Sequence, residues 1–375
     1  MKKVYINFVP ISTGGGLQNA INFLLNIKLD KFHSQEIHFI IRKNDTLIEI
    51  CKRKNYDFTV IDNGFFARLT FEILFFKDKK NSIIFTLFGT VPFLSWNNFT
   101  ITGCAYSNLF YPEIDFWGHL KFFQKRIKLL KDYYRYKNIS SSDVVIFETE
   151  TLTNRAISQF KFNSNYVYTV KMAVNSLVTK ENASKNFLLN KSKFNILYLG
   201  SAHPNKRQHL IVEIIEKIKA KGVNNISIFL TLDVSNTYAK EVLTLIKLKG
   251  LSDSIINLGV IPNEKVSSVI DEMDAMINIA SLESFSNNFV EAWQMERLLF
   301  VTKADWSKDS CGKGAIYLEM DNLDDVSENI IKISQNKEIY RQTIRDGLLE
   351  LAKYPNAQDK MLNFISIINQ YVKRY

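Results

Sequence analysis

The chain has 375 residues, enough for two domains of ordinary size, and 46% of them are hydrophobic, which excludes an intrinsically disordered protein. Its formal net charge of +10 favours an anionic partner, such as nucleic acid, a phosphate-bearing small molecule or an anionic membrane surface. Three scattered cysteines without a C-x-x-C motif indicate a reducing compartment such as the cytoplasm.

The N-terminal half, residues 1–174, alternates short apolar runs with amphipathic stretches. Its predicted strands are KVYINFVP, EIHFIIR, FTVID, SIIFTLFG, TITGCAYS and SDVVIFET. The first run is too short for a signal peptide, and no stretch reaches the roughly 18 uncharged apolar residues that a membrane-spanning helix needs. The alternation predicts a parallel sheet built from β-α-β units.

A glycine-rich loop, STGGGLQNA (12–20), follows the first predicted strand and opens the first predicted helix. Gly14, Gly15 and Gly16 allow a ligand to approach the main chain, and the helix N-terminus can accept a phosphate. A tight strand-to-helix turn without a ligand explains the same residues equally well.

The segment LKFFQKRIKLLKDYYRYK (120–137) is a predicted basic, amphipathic helix. At about 100° per residue, one stripe contains Phe123, Ile127, Leu130 and Tyr134, and the opposite side contains Lys121, Lys125, Lys128 and Arg135. Seven basic residues and one acidic residue give the segment a net charge of +6. The pattern suits a helix in the headgroup plane of an anionic membrane, or a surface helix whose apolar face packs on the core.

The C-terminal half repeats the pattern after a polar stretch at 175–193, the predicted linker. FNILYLGS (194–201) is a predicted strand and KRQHLIVEIIEKIKAKG (206–222) a predicted helix. Further strands and helices complete a second domain at 194–355, and a helix at 356–375 is expected to pack back on the first domain. Two doubly wound α/β domains predict a ligand cleft between the carboxyl edges of their sheets.

Two loops of the second domain contain candidate ligand groups. GSAHPNKRQHL (200–210) follows the first strand, and its cations Lys206 and Arg207 suit a phosphate, although a solvated helix start is the simpler explanation. SLESFSNNFVEAW (281–293) follows a later strand and has carboxylates at Glu283 and Glu291. The amides of Ser286, Asn287 and Asn288 are predicted to form the first helical turn between them. Carboxylates accept from sugar hydroxyls and such amides donate to phosphates, whereas an ordinary helix with two glutamates needs no ligand.

ESFSNNFVEAW resembles the E-x7-E motif of glycosyltransferase family 4, whose members are retaining enzymes of the GT-B fold, and the similarity extends over about 194–336. The resemblance implies that Glu283 contacts the donor sugar, Glu291 the ribose and Lys206 the diphosphate. It also implies a donor site that includes the remaining candidates: Gly14, Gly15, Gly16, Gly200, Ser201, Arg207, Ser286, Asn287 and Asn288.

The chain departs from the family pattern at two places. Ser201 follows Gly200 where members often have an arginine, and Arg207 could supply that cation. Many members also have a histidine in the N-terminal domain. Ser107 or Asn108 occupies the matching place in AYSNLFYPE (105–113), and nearby His119 could substitute on the acceptor side.

The implied reaction is retaining transfer of a sugar from a nucleoside-diphosphate sugar to an acceptor hydroxyl. The resemblance suggests bacterial surface polysaccharide synthesis (O-antigen, capsule or lipopolysaccharide) on a lipid-linked acceptor, in the cytoplasm or at the inner face of the cytoplasmic membrane. No D-x-D triplet occurs, so neither metal nor cofactor is expected. A nucleic-acid partner is not expected, because no reader motif is present. An epimerase or phosphorylase of the same fold and an inactive nucleotide-sugar-binding protein remain alternatives.

Overall fold

The structure of the chain is a computed structural model. It describes residues 3–12, 14–33, 36–76, 81–92, 95, 97–184 and 192–374. The chain divides into two compact units: unit 1 comprises Met1–Ala173 and Pro355–Tyr375, and unit 2 comprises Val174–Tyr354. Of the predicted linker 175–193, residues 185–191 lie outside the described residues.

Unit 1 is built on a parallel sheet. Its strands are β1 Val4–Asn7, β2 Ile37–Arg42, β3 Phe58–Ile61, β4 Ile83–Thr86, β5 Phe99–Cys104, β6 Val144–Phe147 and β7 Val167–Thr169. The order across the sheet is β3-β2-β1-β4-β5-β6-β7, and Val4 pairs with Ile37 on one side and Ile83 on the other. Every residue of β1, β4, β5 and β6 is buried, as expected for parallel strands covered on both faces.

The helices of unit 1 cover both faces of this sheet. Before the last 21 residues they are α1 Gly14–Asn26, α2 Asp45–Arg53, α3 Phe65–Phe76, α4 Phe122–Ser140 and α5 Glu150–Ser158. Because crossovers between parallel strands are right-handed and the strand order reverses after β3, α1 and α2 cover one face. By the same rule α3, α4 and α5 lie on the other face.

Unit 2 has the same architecture. Its strands are β8 Phe194–Tyr198, β9 Ile226–Leu230, β10 Ile255–Asn257, β11 Ala275–Asn278, β12 Leu298–Thr302 and β13 Ile316–Leu318, in the parallel order β10-β9-β8-β11-β12-β13. Its helices are α6 Leu210–Ala220, α7 Thr237–Leu248, α8 Val266–Asp271, α9 Asn287–Gln294, α10 Asp305–Cys311, α11 Leu323–Gln335 and α12 Lys337–Leu351. The predicted pair of doubly wound α/β sheets is thus confirmed.

The C-terminal helix, α13 Ala357–Arg374, is part of unit 1. Its Phe364 ring lies 6.0 Å from that of Phe23 on α1 and 5.4 Å from that of Phe85 on β4. Tyr371 stacks on Phe99 at 4.6 Å. This helix therefore completes the core on the face that α1 and α2 cover.

The helix predicted at 206–222 is shorter than expected. His203 caps a separate 3-10 turn, Pro204–Lys206, through its Nδ1, and Arg207 has a left-handed φ of 55°. A left-handed residue cannot continue a right-handed helix, so α6 begins only at Leu210. Lys206 and Arg207 consequently belong to the loop that precedes the helix. Within the described residues, no helix has the length and apolarity to cross a bilayer.

Candidate functional site

The carboxyl ends of β8 and β11 meet at the centre of the unit 2 sheet. The two strands pair directly, with Ala275 opposite Ile196 and Met276 opposite Leu197. The strand order changes direction here, since β9 and β10 lie on one side of β8 and β12 and β13 lie beyond β11. Loops that leave such a switch point form the usual ligand site of open α/β sheets.

Asn205 joins the two loops that leave these strands. Its Nδ2 donates to the carbonyl of Leu282 at 2.8 Å, and its own carbonyl accepts from the amide of Ser281 at 2.9 Å. The residue is buried. Sequence analysis did not select Asn205, and nothing in the single sequence distinguishes it from other loop asparagines. Its contacts fix the loop of Lys206 against the loop of Glu283.

Lys206 and Glu283 form an ion pair between Nζ and Oε1. Their side chains retain only 21% and 15% of their exposure, so the pair is partly desolvated. The hydroxyl of Tyr198, the last residue of β8, donates to the carbonyl of Lys206 and so anchors the turn to the strand. Two of the predicted site residues thus meet, as a cation and a carboxylate at the mouth of the β8 and β11 loops.

The first turn of α9 lies against the same strands. The Oγ of Ser286 accepts from Asn278 at 3.0 Å, and Nδ2 of Asn288 donates to the carbonyl of Leu199 at 2.7 Å. Ser286 occupies the N-cap position but makes no side-chain capping bond. Asn287 is half-buried. The side chains of Ser286 and Asn288 therefore hold the helix in place, and its leading amides keep the capacity to donate that helix starts possess.

Glu291 is buried on α9 with 6% exposure. Its Oε1 accepts from Nδ2 of Asn175 at 3.0 Å, and Nε2 of Gln294 donates to the Asn175 carbonyl at 3.1 Å. Burial raises the pKa of Glu291, and the bond from Asn175 partly offsets that rise. A carboxylate can accept several hydrogen bonds, so Glu291 has unused acceptor capacity. Asn175 had been assigned to the linker, and sequence analysis missed this contact.

The other candidates of unit 2 are close in sequence but less closely connected. The amide of Gly200 donates to Oγ1 of Thr231 at 2.9 Å, and a Cβ added to this glycine would meet open space. Ser201 is exposed, and its carbonyl accepts from Gln208 at 3.0 Å. Arg207 is half-buried, and burial lowers the pKa of its guanidinium. Whether Arg207 replaces the family's arginine remains a prediction.

The candidates of unit 1 stay predictions as well. Gly14 and Gly15 are exposed and, with Gly16, open α1; Gly14 has a left-handed φ of 62° that favours glycine. The structure places Ser107 and Asn108 in a 3-10 turn just after β5.

Asn108 donates through Nδ2 to Oδ2 of Asp132 at 2.7 Å, and Ser107 is buried. His119 is exposed, and its ring lies 6.2 Å from that of Trp117. Asn108 is thus already bonded to α4. Among the described residues, no group of three or more His, Cys, Asp or Glu side chains is arranged to hold a metal ion.

Comparisons with known proteins agree with this geometry. The sequence model of the family described as glycosyl transferases group 1 matches residues 179–348. A comparison with curated protein sequences finds no match. The structure of Anabaena HepE in complex with UDP-glucose aligns with a TM-score of 0.70 at 12% identity, covering 98% of this chain and 100% of that chain.

Two further structures align over the whole chain. A glycosyltransferase from Rickettsia africae gives a TM-score of 0.70 at 14% identity, covering 99% of this chain and 98% of that chain. Sucrose-phosphate synthase from Thermosynechococcus elongatus gives a TM-score of 0.74 at 10% identity, covering 100% of both chains.

Two doubly wound α/β units that align end to end with these proteins define the chain as one of the GT-B fold. Residues 179–348, which include both Glu283 and Glu291, match the sequence model of the glycosyl transferases group 1. The predicted fold class is confirmed, and so is the predicted resemblance to the glycosyl transferases group 1.

Proposed function

We propose that the chain transfers a sugar from a nucleoside-diphosphate sugar to an acceptor hydroxyl with retention of the anomeric configuration. One observation carries the proposal: the ion pair of Lys206 and Glu283 lies at the loops that also lead to α9, whose buried Glu291 has spare acceptor capacity. Anabaena HepE has been crystallised with UDP-glucose, so UDP-sugars are the first donors to test.

Each group of the site has a distinct role in this proposal. Glu291 accepts from the ribose hydroxyls, and the first-turn amides of α9 donate to the diphosphate. The diphosphate competes with Glu283 for the ammonium of Lys206. Once its partner is engaged elsewhere, Glu283 is free to accept from hydroxyls of the donor sugar. Donor binding therefore exchanges an internal ion pair for two contacts with the ligand.

The reaction places new negative charge on the leaving diphosphate as the glycosidic bond breaks. Lys206 and the α9 amides stabilise that charge, which is the electrostatic contribution that often dominates enzymatic catalysis. The acceptor oxygen attacks from the face that the diphosphate leaves, and a diphosphate oxygen takes its proton. The proposal includes no metal, since the sequence has no D-x-D triplet.

The acceptor is proposed to be lipid-linked, in bacterial surface polysaccharide synthesis at the inner face of the cytoplasmic membrane. The similarity to glycosyltransferase family 4 and the net charge of +6 in residues 120–137 support this assignment.

Calorimetry with UDP and a screen of UDP-sugars test the site directly. Hydrogen bonds to charged groups are worth about 1.5–3 kcal/mol, so Glu291→Ala should weaken UDP binding about tenfold to a hundredfold. Glu283→Ala should not weaken UDP binding, because it removes the competitor of the diphosphate for Lys206, but it should lower sugar transfer. Lys206→Ala should lower transfer about a hundredfold or more, as expected when a group that stabilises the leaving charge is removed.

Glu241→Ala, which changes an exposed carboxylate on α7, is the matched control and should alter neither quantity. Equal losses of UDP affinity in Glu283→Ala and Glu291→Ala would contradict the division of roles. Turnover of the donor to an epimer, or transfer that requires inorganic phosphate, would replace the transferase with one of the alternatives. Donor binding without any turnover would indicate an inactive binding protein.

A further inference from the structure

The apolar stripe of α4 points away from unit 1. Phe123 is 80% exposed and Leu130 70%, and Ile127 and Tyr134 are also exposed. The buried residues of this 19-residue helix are Asp132 and Ile139. The apolar side of an ordinary surface helix faces the core, so α4 lies on the sheet in the reverse orientation. Packing of this stripe on the core, one of the two possibilities that the sequence left open, does not occur.

The inward side of α4 is polar. Asp132 accepts from Nε1 of Trp117 at 2.6 Å, from Nη1 of Arg135 at 2.8 Å and from Asn108. Lys125 pairs with Asp115 at 2.6 Å, and the ammonium of Lys128 lies 4.7 Å from the centre of the Trp117 ring. Basic residues that the sequence assigned to the polar face therefore hold the helix onto unit 1.

Helix α3 also exposes large apolar side chains, although its Phe71 and Phe75 pack on the core. Phe66 is 79% exposed and Leu74 68%, while Glu72 is buried. Glu72 accepts from Nε of Arg68 at 2.6 Å, so this helix, too, buries a carboxylate in an ion pair. Two helices on one face of the unit 1 sheet thus present large apolar side chains to solvent.

The two helices attach to the same short segment of chain. Nη2 of Arg68 on α3 donates to Oγ1 of Thr90 at 2.9 Å. The amide of Val91 donates to Oδ1 of Asn138 on α4 at 2.8 Å. Adjacent residues of one loop therefore anchor α3 and α4 on the same face of the sheet, and we call the outward sides of the two helices together the α3–α4 surface. Singly exposed apolar residues are normal, but a group of them marks an interaction site.

Positive charge borders this surface. On the helical projection of about 100° per residue, Arg126 and Lys137 lie on one side of the α4 stripe and Lys131 on the other. All three are exposed. The guanidinium of Arg126 lies 4.9 Å from the centre of the Phe122 ring, and the ammonium of Lys137 lies 5.7 Å from that of Tyr133. Long basic side chains beside apolar ones suit the boundary between lipid tails and headgroups.

We propose that the α3–α4 surface binds an anionic membrane. Its apolar side chains enter below the headgroups, and Arg126, Lys131 and Lys137 contact anionic lipid. The net charge of +6 over 120–137 argues against a second copy of the chain as the occupant, because a two-fold interface would bring this basic surface against itself. The proposal complements the lipid-linked acceptor but does not require it, since membrane binding needs neither donor nor acceptor.

Co-sedimentation of the full chain with vesicles tests the proposal. We expect binding to vesicles of phosphatidylcholine mixed with phosphatidylglycerol, weaker binding at high salt, and little binding to phosphatidylcholine alone. Each basic residue near an anionic surface contributes substantially to attraction, so Arg126→Glu/Lys131→Glu/Lys137→Glu should reduce partitioning about tenfold or more. Phe123→Ser/Leu130→Ser should also reduce it about tenfold, through the loss of apolar insertion.

The matched control is Lys52→Glu/Arg53→Glu/Lys54→Glu. It makes the same change in net charge at exposed positions at the end of α2, on the opposite face of the sheet, and should keep binding. Circular dichroism and UDP calorimetry of every variant should match the parent protein, which separates this test from the proposed activity. Absence of binding to anionic vesicles at low salt overturns the proposal, as does equal loss of binding in the α2 control. A dimer that Phe123→Ser/Leu130→Ser dissociates, seen by light scattering, would instead show that a second copy occupies the surface.

Discussion

Asp132 in unit 1 and Glu291 in unit 2 are both carboxylates on helices, and both are buried, at 7% and 6% exposure. Asp132 accepts from three side chains, one of them the cationic Arg135. Among the residues that the structure describes, Glu291 accepts from one neutral amide, that of Asn175. A buried carboxylate with a full set of donors holds a structure together, whereas one with few donors costs stability and is available to a ligand. Burial alone therefore does not select a candidate ligand-binding acid; unused hydrogen-bonding capacity is the property that separates Glu291 from Asp132.

The largest effect that would sharpen this comparison is expected for Asp132→Ala. The substitution leaves the amide of Asn108, the indole N–H of Trp117 and the guanidinium of Arg135 without their common acceptor. Breaking a buried ion pair costs about 3–5 kcal/mol of unfolding free energy, and because Arg135 is 34% exposed we expect the lower end of that range. Urea denaturation followed by circular dichroism measures the loss.

Asp30→Ala serves as the control, since its pairing with Lys31 is exposed and worth at most about 1 kcal/mol. If Asp132→Ala costs no more than this control, Asp132 does not hold α4 in place.

Asn205→Ala should lower the free energy of unfolding by a smaller amount, about 1–3 kcal/mol, because the Leu282 carbonyl loses its buried donor. The loops of Lys206 and Glu283 should also lose their alignment, so sugar transfer per folded molecule should fall. Asn369→Ala is the matched control, since this buried asparagine of α13 bridges the His33 amide and the Lys31 carbonyl in unit 1. The control should lose similar stability but keep its transfer rate. Equal transfer rates in the two variants would show that Asn205 has a structural role only.

The smallest expected effect is a gain in stability, in the variant Glu291→Gln. Glu291→Gln keeps an oxygen for Asn175 but removes a charge that burial disfavours, as the raised pKa of Glu291 indicates. Because the pKa of this carboxyl is higher in the folded than in the unfolded protein, the folded state loses stability as pH rises from the unfolded pKa through the folded pKa. The variant should therefore unfold at a higher temperature than the parent at pH 7, and the difference should disappear in acid, where both states are protonated.

UDP affinity should fall at the same time, so a stabilised protein would bind its donor less well. Thermal unfolding at several pH values and calorimetry measure the two quantities. A lower unfolding temperature for Glu291→Gln at pH 7 would place Glu291 with Asp132 among the structural acids.

Much of the fold follows from local pattern. The fully buried strand β4 appears in the sequence as an apolar run, SIIFTLFG, and β5 as a shorter mixed stretch, TITGCAYS; the structure confirms both. The predicted start of α6 was wrong because the true start depends on the left-handed backbone of Arg207, a conformation that no propensity assigns to arginine. Lys206 and Glu283 were each predicted as site residues. Their ion pair could not be predicted, because it depends on the strand order and on the geometry of the two loops.

The contacts of Asn175 and Asn205 could not be predicted. In the sequence, a loop asparagine that bonds to solvent cannot be distinguished from one that bridges two segments. The orientation of α4 is a further case. Periodicity separates its apolar stripe from its basic side, but it does not determine which side faces the sheet. That choice depends on Asp115 and Trp117, which precede the helix and provide the inward partners. Sequence pattern gives the faces of a helix, and tertiary contacts decide their direction.

The placement of α13 in unit 1 has a consequence for the order of events during protein synthesis. Residues 355–375 leave the ribosome after unit 2, yet Phe364, Ile368 and Tyr371 belong to the same core as β1 and β4. Unit 2, a continuous stretch of chain, can finish folding while the first 173 residues still expose an incomplete apolar face. Domains usually finish folding on the ribosome in order from the N-terminus, whereas here unit 1 can be completed only after unit 2 has been made. A truncation after Tyr354 would leave unit 1 permanently in that unfinished, aggregation-prone form.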